Sequence, residues 1–581
     1  MSSSARWAVI LILLFVVLAM GISLVAIWAF TGGEGAAPWR HTPVLSLRLD
    51  GAIPELKADD PFSRFANPEQ IDLRDIVDGL TQAQTDSGID GVFVEIGAPQ
   101  LGWAQNEEVR AAIERFKTSG KWVTCYMETA GEFSGGNGAY MLGTACSKLY
   151  MSPPGDIGLV ALRVETPFVK GMFDKLGVVP QFGQRKEFKN AVNTYTETDY
   201  TPAHREATTQ LLLSLNAELV ESITKGRKLP ADKVQQLIDK GPYTGPESKQ
   251  FGLVDDLKYR DEVRDEIVKQ AGRDEPFVSL QNYLDEGRPH TSGGTSIALV
   301  YAVGGVARGP SGNSPLSGES MGSDTVVDEL RRAKEDSDVA AVVLRVDSPG
   351  GSYVASDLIR REVELVKQAK PVVISMGNYA ASGGYFISMQ GSKIYADSAT
   401  LTGSIGVFSG KMVTSQFWSE KVGMRWGGVS LGESSKFYST QELYDEHGTE
   451  RMNAMLDRIY SDFVGKAAQG RGMSFDQLEP LAHGRVWTGR DALARKLIDE
   501  VGGVYDAIRG AATLAKLDPD GRYTVKLMRR EAGFFDRLAG RSVAIMGGLS
   551  PETARVLQTI GRVTAPQPVT TLRDPMLPEI P

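Results

Sequence analysis

Cysteine is scarce in this 581-residue sequence, which contains only Cys125 and Cys146. Two cysteines cannot build a disulfide scaffold, and there is no CxxC pair or Cys/His cluster of the kind that binds structural zinc. These absences exclude the small disulfide-rich and zinc-stabilised classes of protein. The sequence leaves open whether the two cysteines form a disulfide with each other.

Histidine is almost as scarce, and its five positions are His41, His204, His290, His447 and His483. None of them lies in a repeated glycine-rich block or forms an HExxH motif. Metal catalysis is therefore not expected, and the sequence predicts no metal and no cofactor. A Ser-His-Asp triad is disfavoured as well, since it would need a histidine from a distant part of the chain.

Blocks of positive charge are also missing. The chain has 63 Lys and Arg against 72 Asp and Glu, which gives a net charge of −9. Nucleic-acid-binding proteins need clustered cations that face phosphates, so the sequence predicts no nucleic-acid partner. Hydrophobic residues at 42% and charged residues at 23% are ordinary for a folded chain, which excludes bulk disorder.

Long apolar runs are absent except at residues 7–30, which carry no charge. A helix of these 24 residues would be about 36 Å long, enough to cross a hydrocarbon core of about 30 Å. Arg6 precedes the run and Glu34 follows it, so the positive-inside rule places the rest of the chain across the membrane. We expect a single-pass bacterial inner-membrane protein with its body on the periplasmic or outer side. A cleaved signal peptide is the alternative, but its apolar region is normally about 7–15 residues long.

The body of the chain contains two copies of one sequence unit. Four sequence blocks recur in the same order at offsets of 244 to 250 positions. The paired blocks begin at Gly91 and Ala341, Lys121 and Lys370, Asn137 and Ser382, and Tyr243 and Trp487. Four matches at a nearly constant offset indicate a tandem duplication.

Each copy alternates short runs of Val, Ile and Leu with helical stretches. Such runs are typical of parallel strands buried on both faces, so the predicted fold class is α/β with right-handed crossovers. We predict an anchor at 7–30, a first repeat at 43–275, a linker at 276–295, a second repeat at 296–525 and a tail at 526–581. The tail is expected to be helical and then proline-rich.

Ser382 lies in the segment GNYAASGGYFIS, between a predicted strand and a predicted helix. A serine at such a turn is exposed at the carboxyl end of the sheet, where the sites of α/β proteins form. The start of its helix supplies an N–H group to a developing oxyanion, and the two glycines that follow allow close approach. A tight turn with an incidental serine is the alternative interpretation.

A second glycine-rich turn supports the functional interpretation. DSPGGS at Asp347–Ser352 also follows a strand and precedes a helix, so a backbone N–H of Gly350 or Gly351 is a candidate second oxyanion donor. In the first repeat Asn137 replaces the serine, and residues 98–101 (APQL) replace the PGG turn. One copy therefore keeps both features and the other has lost both.

A desolvated lysine is the natural base for a serine that has no histidine nearby. Lowering the pKa of a lysine from about 10.4 to about 8 takes about 3 kcal/mol of destabilisation of the ammonium, which a dry pocket supplies. The residues alone do not identify which lysine acts.

At these motifs the sequence resembles the long, duplicated form of the signal peptide peptidase A (protease IV) family of Ser-Lys peptidases. The resemblance rests on LRVDSPGGS, MGNYAASGGYFIS, LTGSIGVF and WTGRDA in that order, and it covers about residues 7–525. It implies a fold related to crotonases and Clp protease and a membrane-anchored, bowl-shaped homotetramer. It also implies peptide substrates, such as the remnants of cleaved signal peptides.

The resemblance also assigns roles to residues of the second repeat. Ser382 matches the nucleophile of the family, and Ser404 in TGSIG resembles the serine that orients the lysine amine. Gly383 matches one oxyanion donor, and the turn with Gly350 and Gly351 matches the other.

The lysine of the long form comes from the first repeat, where Lys189 in the segment FKNA is the match. Lys186 is a rival without a preceding aromatic residue, and Lys436 lies in the segment that short relatives use. Asp347 departs from the asparagine that is frequent in the family, and we expect its carboxylate to cap the turn. The alternative functions are a catalytically silent membrane scaffold and a crotonase-type acyl-CoA enzyme.

Overall fold

The computed structural model of the chain describes residues 43–57, 70–287, 294–314, 318–521 and 523–529. The predicted membrane anchor and most of the predicted tail lie outside these residues. Within the described ranges, no helix is both long enough and apolar enough to cross a membrane.

The first repeat is built on a six-stranded sheet covered by helices. The strands of this repeat, six of which form the sheet, are β1 (Val44–Ala52), β2 (Gly91–Gln100), β3 (Trp122–Met127), β4 (Lys148–Met151), β5 (Asp156–Ile157), β6 (Val179–Arg185), β7 (Tyr243–Thr244), β8 (Asp256–Leu257) and β9 (Phe277–Ser279). Its helices are α1 (Leu73–Thr85), α2 (Trp103–Lys117), α3 (Asn137–Gly143), α4 (Lys170–Leu176), α5 (Asn193–Thr196), α6 (Pro202–Arg227), α7 (Ala231–Lys240), α8 (Gly245–Gln250), α9 (Arg260–Ala271) and α10 (Leu280–Gly287). The sheet runs β8-β4-β3-β2-β1-β9 with every pair parallel.

The second repeat has the same plan. Its strands are β10 (Ser296–Val303), β11 (Gly305–Ala307), β12 (Gly312–Ser314), β13 (Gly318–Gly322), β14 (Val339–Ser348), β15 (Val372–Ala381), β16 (Lys393–Ala396), β17 (Leu401–Gly403), β18 (Val407–Val413), β19 (Val486–Thr488), β20 (Glu500–Val501) and β21 (Thr524–Leu527). Its helices are α11 (Ser323–Glu335), α12 (Tyr353–Lys367), α13 (Gly383–Ser388), α14 (Glu446–Arg471), α15 (Phe475–Leu478), α16 (Gly489–Ala494) and α17 (Val504–Leu514). The main sheet runs β19-β17-β15-β14-β10-β21, with only β19 antiparallel to its neighbour.

The central strands are buried on both faces, as their continuous apolar runs predict. Val342, Val343 and Leu344 of β14 are fully buried, and helices cover both sides. One buried apolar cluster runs through both repeats and includes Val109 of α2 and Ala511 of α17. The predicted duplicated α/β architecture is confirmed, and the two repeats share part of their core.

One strand leaves the first repeat and joins the second. Strand β6 pairs antiparallel with β18 along its whole length, from Val179 opposite Val413 to Arg185 opposite Val407. This two-stranded ribbon carries the chain that follows β6 over the carboxyl edge of the second sheet. The ribbon therefore decides which first-repeat residues reach the glycine-rich turns of the second.

Two predicted boundaries are wrong. The predicted linker at 276–295 contains β9, which pairs with β1, and α10, whose Leu280 and Tyr283 are buried against the first sheet. The predicted tail at 526–581 begins inside β21, which pairs with β10. Both segments carry enough apolar side chains to pair with the edge of a sheet. The first repeat therefore extends further than predicted, and the polar linker after it is shorter.

Cys125 and Cys146 form a disulfide that joins β3 to the loop after α3, with their Cα atoms 5.9 Å apart. Both cysteines are buried in the core of the first repeat. The sequence left this pairing open because a separation of 21 residues says nothing about distance in space.

Candidate active site

Ser382 stands between the end of β15 and the start of α13. Its backbone φ is +54°, a conformation that non-glycine residues rarely adopt, and its N–H donates to Gly403 O at 2.8 Å. The sharp turn from strand to helix requires this strained conformation, which resembles the turn that presents the nucleophile in α/β-hydrolases. The side chain is fully buried, whereas the sequence predicts an exposed serine at this turn.

Lys189 of the first repeat reaches this serine from the segment that follows β6. Its Nζ atom lies 2.9 Å from Ser382 Oγ, although the two residues are 193 positions apart in sequence. Lys189 is fully buried, which is rare for a lysine.

Ser404 holds the same amine. Lys189 Nζ donates to Ser404 Oγ at 2.8 Å and to Ser404 O at 2.9 Å. Ser404 also has a positive φ of +50°, and its N–H donates to Arg485 O at 2.7 Å. The strained backbone thus turns the hydroxyl and the carbonyl of one residue toward one amine.

The charged residues at 185–187 do not prevent burial of Lys189, because their side chains point outward to partners. Arg185 pairs with Asp457 at 2.5 Å, Lys186 pairs with Glu479, and Glu187 Oε1 lies 2.9 Å from His483 Nδ1. These contacts close the outer side of the segment and leave the lysine inside.

The SPGG turn is clamped by the strand segment at Val306. Val306 N–H donates to Gly350 O, and Ser352 N–H donates to Val306 O, both at 2.9 Å. A Cβ atom on Gly351 would lie 2.2 Å from Val306 O, so only glycine fits there. The turn is therefore held rigidly beside the serine.

The geometry favours one of the two glycines of this turn as an anion donor. Gly350 N–H donates to Ser348 Oγ at 3.2 Å, whereas the N–H of Gly351 lies beside Gly383. An added Cβ on Gly383 would be 3.0 Å from Gly351 N. As the first residue of α13, Gly383 has no intrahelical acceptor for its own N–H.

The rival lysines lie elsewhere. Lys186 is engaged with Glu479, and Lys436 is half exposed and pairs with Glu442 at 2.7 Å. Its hydrogen bond to Glu442 raises the pKa of Lys436. In the described part of the chain, neither amine contacts Ser382.

Asp347 is predicted to cap the SPGG turn, but in the described part of the chain its carboxylate binds the neighbouring strand β15 instead. Its Oδ1 accepts from Tyr379 N–H at 2.8 Å. Burial and the charge of Glu55 raise the pKa of Asp347 to about 7, against the opposing effect of Arg345. This carboxyl group therefore acts on the backbone that leads to Ser382.

The corresponding turn of the first repeat is closed by its own residues. Asn137 Nδ2 donates to Val160 O at 2.9 Å, and Asn137 Oδ1 accepts from Val160 N–H at 3.0 Å. At the offset of 245 positions that relates Asn137 to Ser382, Leu159 occupies the place of Ser404. These two positions therefore lack the hydroxyl groups that Ser382 and Ser404 supply in the second repeat.

The segment just before the WTGRDA block packs on Lys189, and the sequence did not predict this contact. His483 O accepts from Phe188 N–H at 3.1 Å, and a Cβ on Gly484 would lie 2.6 Å from Lys189 Cβ. Both residues have positive φ, +50° for His483 and +77° for Gly484. This segment packs directly on the lysine, and the glycine is the one signal of it in the sequence.

Comparison with known proteins identifies the family of the chain. Residues 115–274 and 364–518 match the profile of peptidase family S49. The chain is 32% identical over 527 residues to the chloroplastic serine protease SPPA of Arabidopsis thaliana, covering 88% of this chain and 76% of that protein. It is 32% identical over 466 residues to Protease 4 of Salmonella typhi, covering 77% of this chain and 73% of that protein.

Among solved structures, a ClpP1 mutant from Listeria monocytogenes aligns with 36% of this chain and 93% of its own, at 14% identity and a TM-score of 0.24. The predicted relation to the Clp and crotonase folds stays a prediction. The family profile covers both repeats, and the relatives extend over most of the chain. The chain therefore belongs to peptidase family S49 and is a serine peptidase.

Proposed function

We propose that this peptidase is a membrane-anchored endopeptidase in which Lys189 is the general base for Ser382. The observation that carries the proposal is the separation of 2.9 Å between Lys189 Nζ and Ser382 Oγ in a fully buried site. This distance is within the range for direct proton transfer.

The hydrogen bonds around the amine support its role as a base. A neutral amine has two N–H donors and one lone pair, and Ser404 O and Ser404 Oγ accept the two donors. The lone pair is then directed at the hydroxyl of Ser382, which donates to it. Burial disfavours the ammonium form, so the surroundings favour the neutral amine that this step needs.

The chemical steps follow from this arrangement. Ser382 Oγ attacks the scissile carbonyl carbon while its proton passes to Lys189 Nζ. The carbonyl oxygen becomes an oxyanion that the N–H groups of Gly383 and Gly351 stabilise. When the intermediate collapses, the C–N bond breaks, the proton moves from Lys189 to the leaving amine, and an acyl-enzyme remains. Lys189 then takes a proton from water, whose oxygen attacks the ester carbonyl carbon. The C–O bond to Ser382 breaks, Lys189 returns the proton to Ser382 Oγ, and the acid is released.

The proposed substrates are extended hydrophobic peptides, including the remnants of cleaved signal peptides. A buried nucleophile admits an extended chain and excludes a folded protein. The predicted anchor at residues 7–30 would keep the site near the membrane from which such peptides are released. The buried disulfide supports a body on the periplasmic or outer side, because disulfides persist in oxidising compartments.

We also propose that chains assemble head to tail into a homotetramer. In one chain, β6 of the first repeat pairs with β18 of the second. The first-repeat equivalent of β18, residues 162–168, alternates between half-buried and exposed positions and belongs to none of the strands described. In the second repeat, residues 424–430 correspond to β6 at the offset of 245 positions. Val429 and Leu431 in this region are almost completely exposed. Pairing between neighbours would repeat the internal contact and close a ring. A single-chain mass by light scattering would contradict this assembly.

The test of the proposed chemistry is cleavage of a fluorogenic hydrophobic peptide by the purified full chain. Ser382→Ala and Lys189→Ala should each lower kcat by at least about 10²-fold, since a positioned base contributes about 10²–10⁴-fold. Lys436→Ala is the matched control and should retain activity. Loss of activity in Lys436→Ala with retention in Lys189→Ala would overturn the assignment. Absence of turnover in the natural chain would favour a silent scaffold.

A further inference from the structure

The first repeat contains a cleft of about 1330 Å³ that the proposed chemistry does not use. It lies at the carboxyl edge of the first sheet, at the position that corresponds to the active site of the second repeat. Residues 96–102 form one wall, and residues 131–136 form another. Although this copy has lost the nucleophile, it has kept an open cleft.

A longer loop opens this cleft. Ten positions separate Met127 from Asn137, whereas six separate the equivalent Met376 from Ser382. In the second repeat β15 continues to the residue before the serine, but in the first repeat β3 ends at Met127 and the chain bulges outward. The four extra positions therefore create space at the edge of the sheet.

A buried acceptor without a partner lines the cleft. Asn106 is 5% exposed, and its Nδ2 donates to Leu101 O and Gly102 O at 3.4 and 3.1 Å. Its Oδ1 has no hydrogen-bond partner in the described part of the chain. A buried polar atom without a partner is destabilising, so a ligand that donates a hydrogen bond here would satisfy it.

The charges around the cleft are predominantly negative. Its charged lining consists of two arginines and four carboxylates, Arg48, Arg260, Asp50, Glu95, Glu128 and Glu132. The two arginines pair with Asp50 and Glu95. Glu128 and Glu132 of the longer loop are exposed and leave the cleft with a net negative charge.

The cleft extends to the two strands of the second repeat that lead to Ser382 and Ser404. Tyr379 of β15 and Leu401 of β17 belong to its lining, three positions before Ser382 and Ser404 respectively. An extended peptide covers about 3.3 Å per residue. A side chain only a few positions from the scissile bond would therefore reach the cleft.

We propose that this cleft binds a basic stretch of the same peptide whose apolar part is cut at Ser382. The inference rests on the proposed function. Glu128 and Glu132 pair with lysine or arginine side chains of the peptide, and Asn106 Oδ1 accepts a hydrogen bond from its backbone or ammonium. A signal peptide has this composition, since a positively charged region precedes its apolar region. The silent repeat thus selects the peptides that the active repeat cleaves.

The test compares a short apolar fluorogenic peptide with versions that carry a Lys-Lys pair at successive positions on either side of the scissile bond. At the best position, we expect kcat/KM for the extended peptide to exceed that of the short one by about five- to tenfold. A Glu-Glu pair at that position should lower kcat/KM below that of the short peptide. Raising the salt concentration should reduce the preference, because the charges on the loop are exposed.

The variants locate the effect. In Glu128→Gln/Glu132→Gln, the ratio of kcat/KM between extended and short peptides should fall to about one, whereas Glu335→Gln, an exposed carboxylate at the end of α11, should keep the natural ratio. Fluorescence anisotropy of a labelled basic peptide on Ser382→Ala should give the same ranking without turnover. Cleavage of the short peptide with no effect of the lysine pair at any position would overturn this inference alone. No cleavage of the short peptide would overturn the proposed function instead.

Discussion

At the scale of single residues, the site depends on backbone conformations that most side chains avoid. Ser382 and Ser404 both have positive φ, and the glycines beside them leave space for backbone N–H groups. Such strain persists only where the surrounding structure holds it, and it is frequent at functional sites. The hydrogen bonds to Gly403 O and Arg485 O hold these two serines.

Gly383→Ala should damage the oxyanion site without unfolding the protein. The new Cβ would lie 2.7 Å from Ser356 Oγ and 3.0 Å from Gly351 N, so the turn must shift. We expect kcat for peptide cleavage to fall by about 10²-fold, the effect of losing one oxyanion donor. Gly465→Ala is the control, since a Cβ there meets nothing within 4 Å. Equal activity of the two variants would contradict the assigned role.

Asp347→Asn should change how stability depends on pH. The folded state holds the proton of Asp347 with a pKa of about 7, against 3.8 ordinarily, so its stabilising contribution is full below about pH 4 and is lost as pH rises to about 7. Asparagine keeps the acceptor for Tyr379 N–H but does not titrate. The free energy of unfolding, measured with urea between pH 4 and 7, should fall less steeply in the variant. Identical slopes would show that Asp347 does not titrate in this range.

At the scale of elements, the β6–β18 ribbon brings Lys189 of the first repeat to Ser382 of the second. The ribbon has antiparallel pairing along its whole length, and the segment that follows β6 delivers Lys189. The ribbon is a separate two-stranded sheet and contributes no strand to either of the two main sheets. The ribbon can therefore be disturbed separately.

Gly410→Val tests this role of the ribbon. A Cβ on Gly410 would lie 2.3 Å from Gln181 O and 2.6 Å from Phe182 Cα, so β6 must move away. We expect peptide cleavage to fall at least about tenfold, because a small misplacement of a catalytic group has a large effect on rate. The far-UV circular dichroism spectrum should stay close to that of the natural chain, because the two main sheets remain folded. Gly171→Ala, in α4 with open space around its Cβ position, is the control.

At the scale of the whole molecule, a buried ion network joins the two repeats. Arg345 of β14 is fully buried and binds Glu55 through two nitrogens at 2.8 and 3.0 Å. The same guanidinium lies 2.5 Å from Glu108 of α2. The two carboxylates belong to the first repeat and the arginine to the second, so the network fixes how the repeats meet.

Arg345→Met should destabilise the protein strongly. It would leave Glu55 and Glu108 buried without their counter-charge, which costs about 3–5 kcal/mol when one partner of a buried pair is removed. Urea unfolding at pH 7 measures the effect. Arg163→Met is the control, because Arg163 and its partner Glu165 are 80% and 77% exposed, and it should change stability by about 1 kcal/mol or less. Similar losses in both variants would contradict the role of the network.

The sequence predicted the duplicated α/β fold, the family and the turns around Ser382 and Gly351. These features are local, since a strand, a sharp turn and a helix appear within a dozen residues. The start of the linker was predicted wrongly, because an apolar strand and helix next to a polar stretch can either pack on a sheet or remain outside it. The support from His483 and Gly484 was missed because its contact with Lys189 is made across about 300 positions of sequence.

By itself, the sequence determined that two copies of one unit are present and that only the second keeps a serine and its anion-binding turns, because periodicity and turn chemistry depend on neighbouring residues. The tertiary structure decided which lysine meets that serine, which of two glycines has its backbone nitrogen beside Gly383 and how the cysteines are arranged. Those relations depend on the β6–β18 pairing and on the packing of the two repeats, in which residues far apart in the chain become neighbours in space.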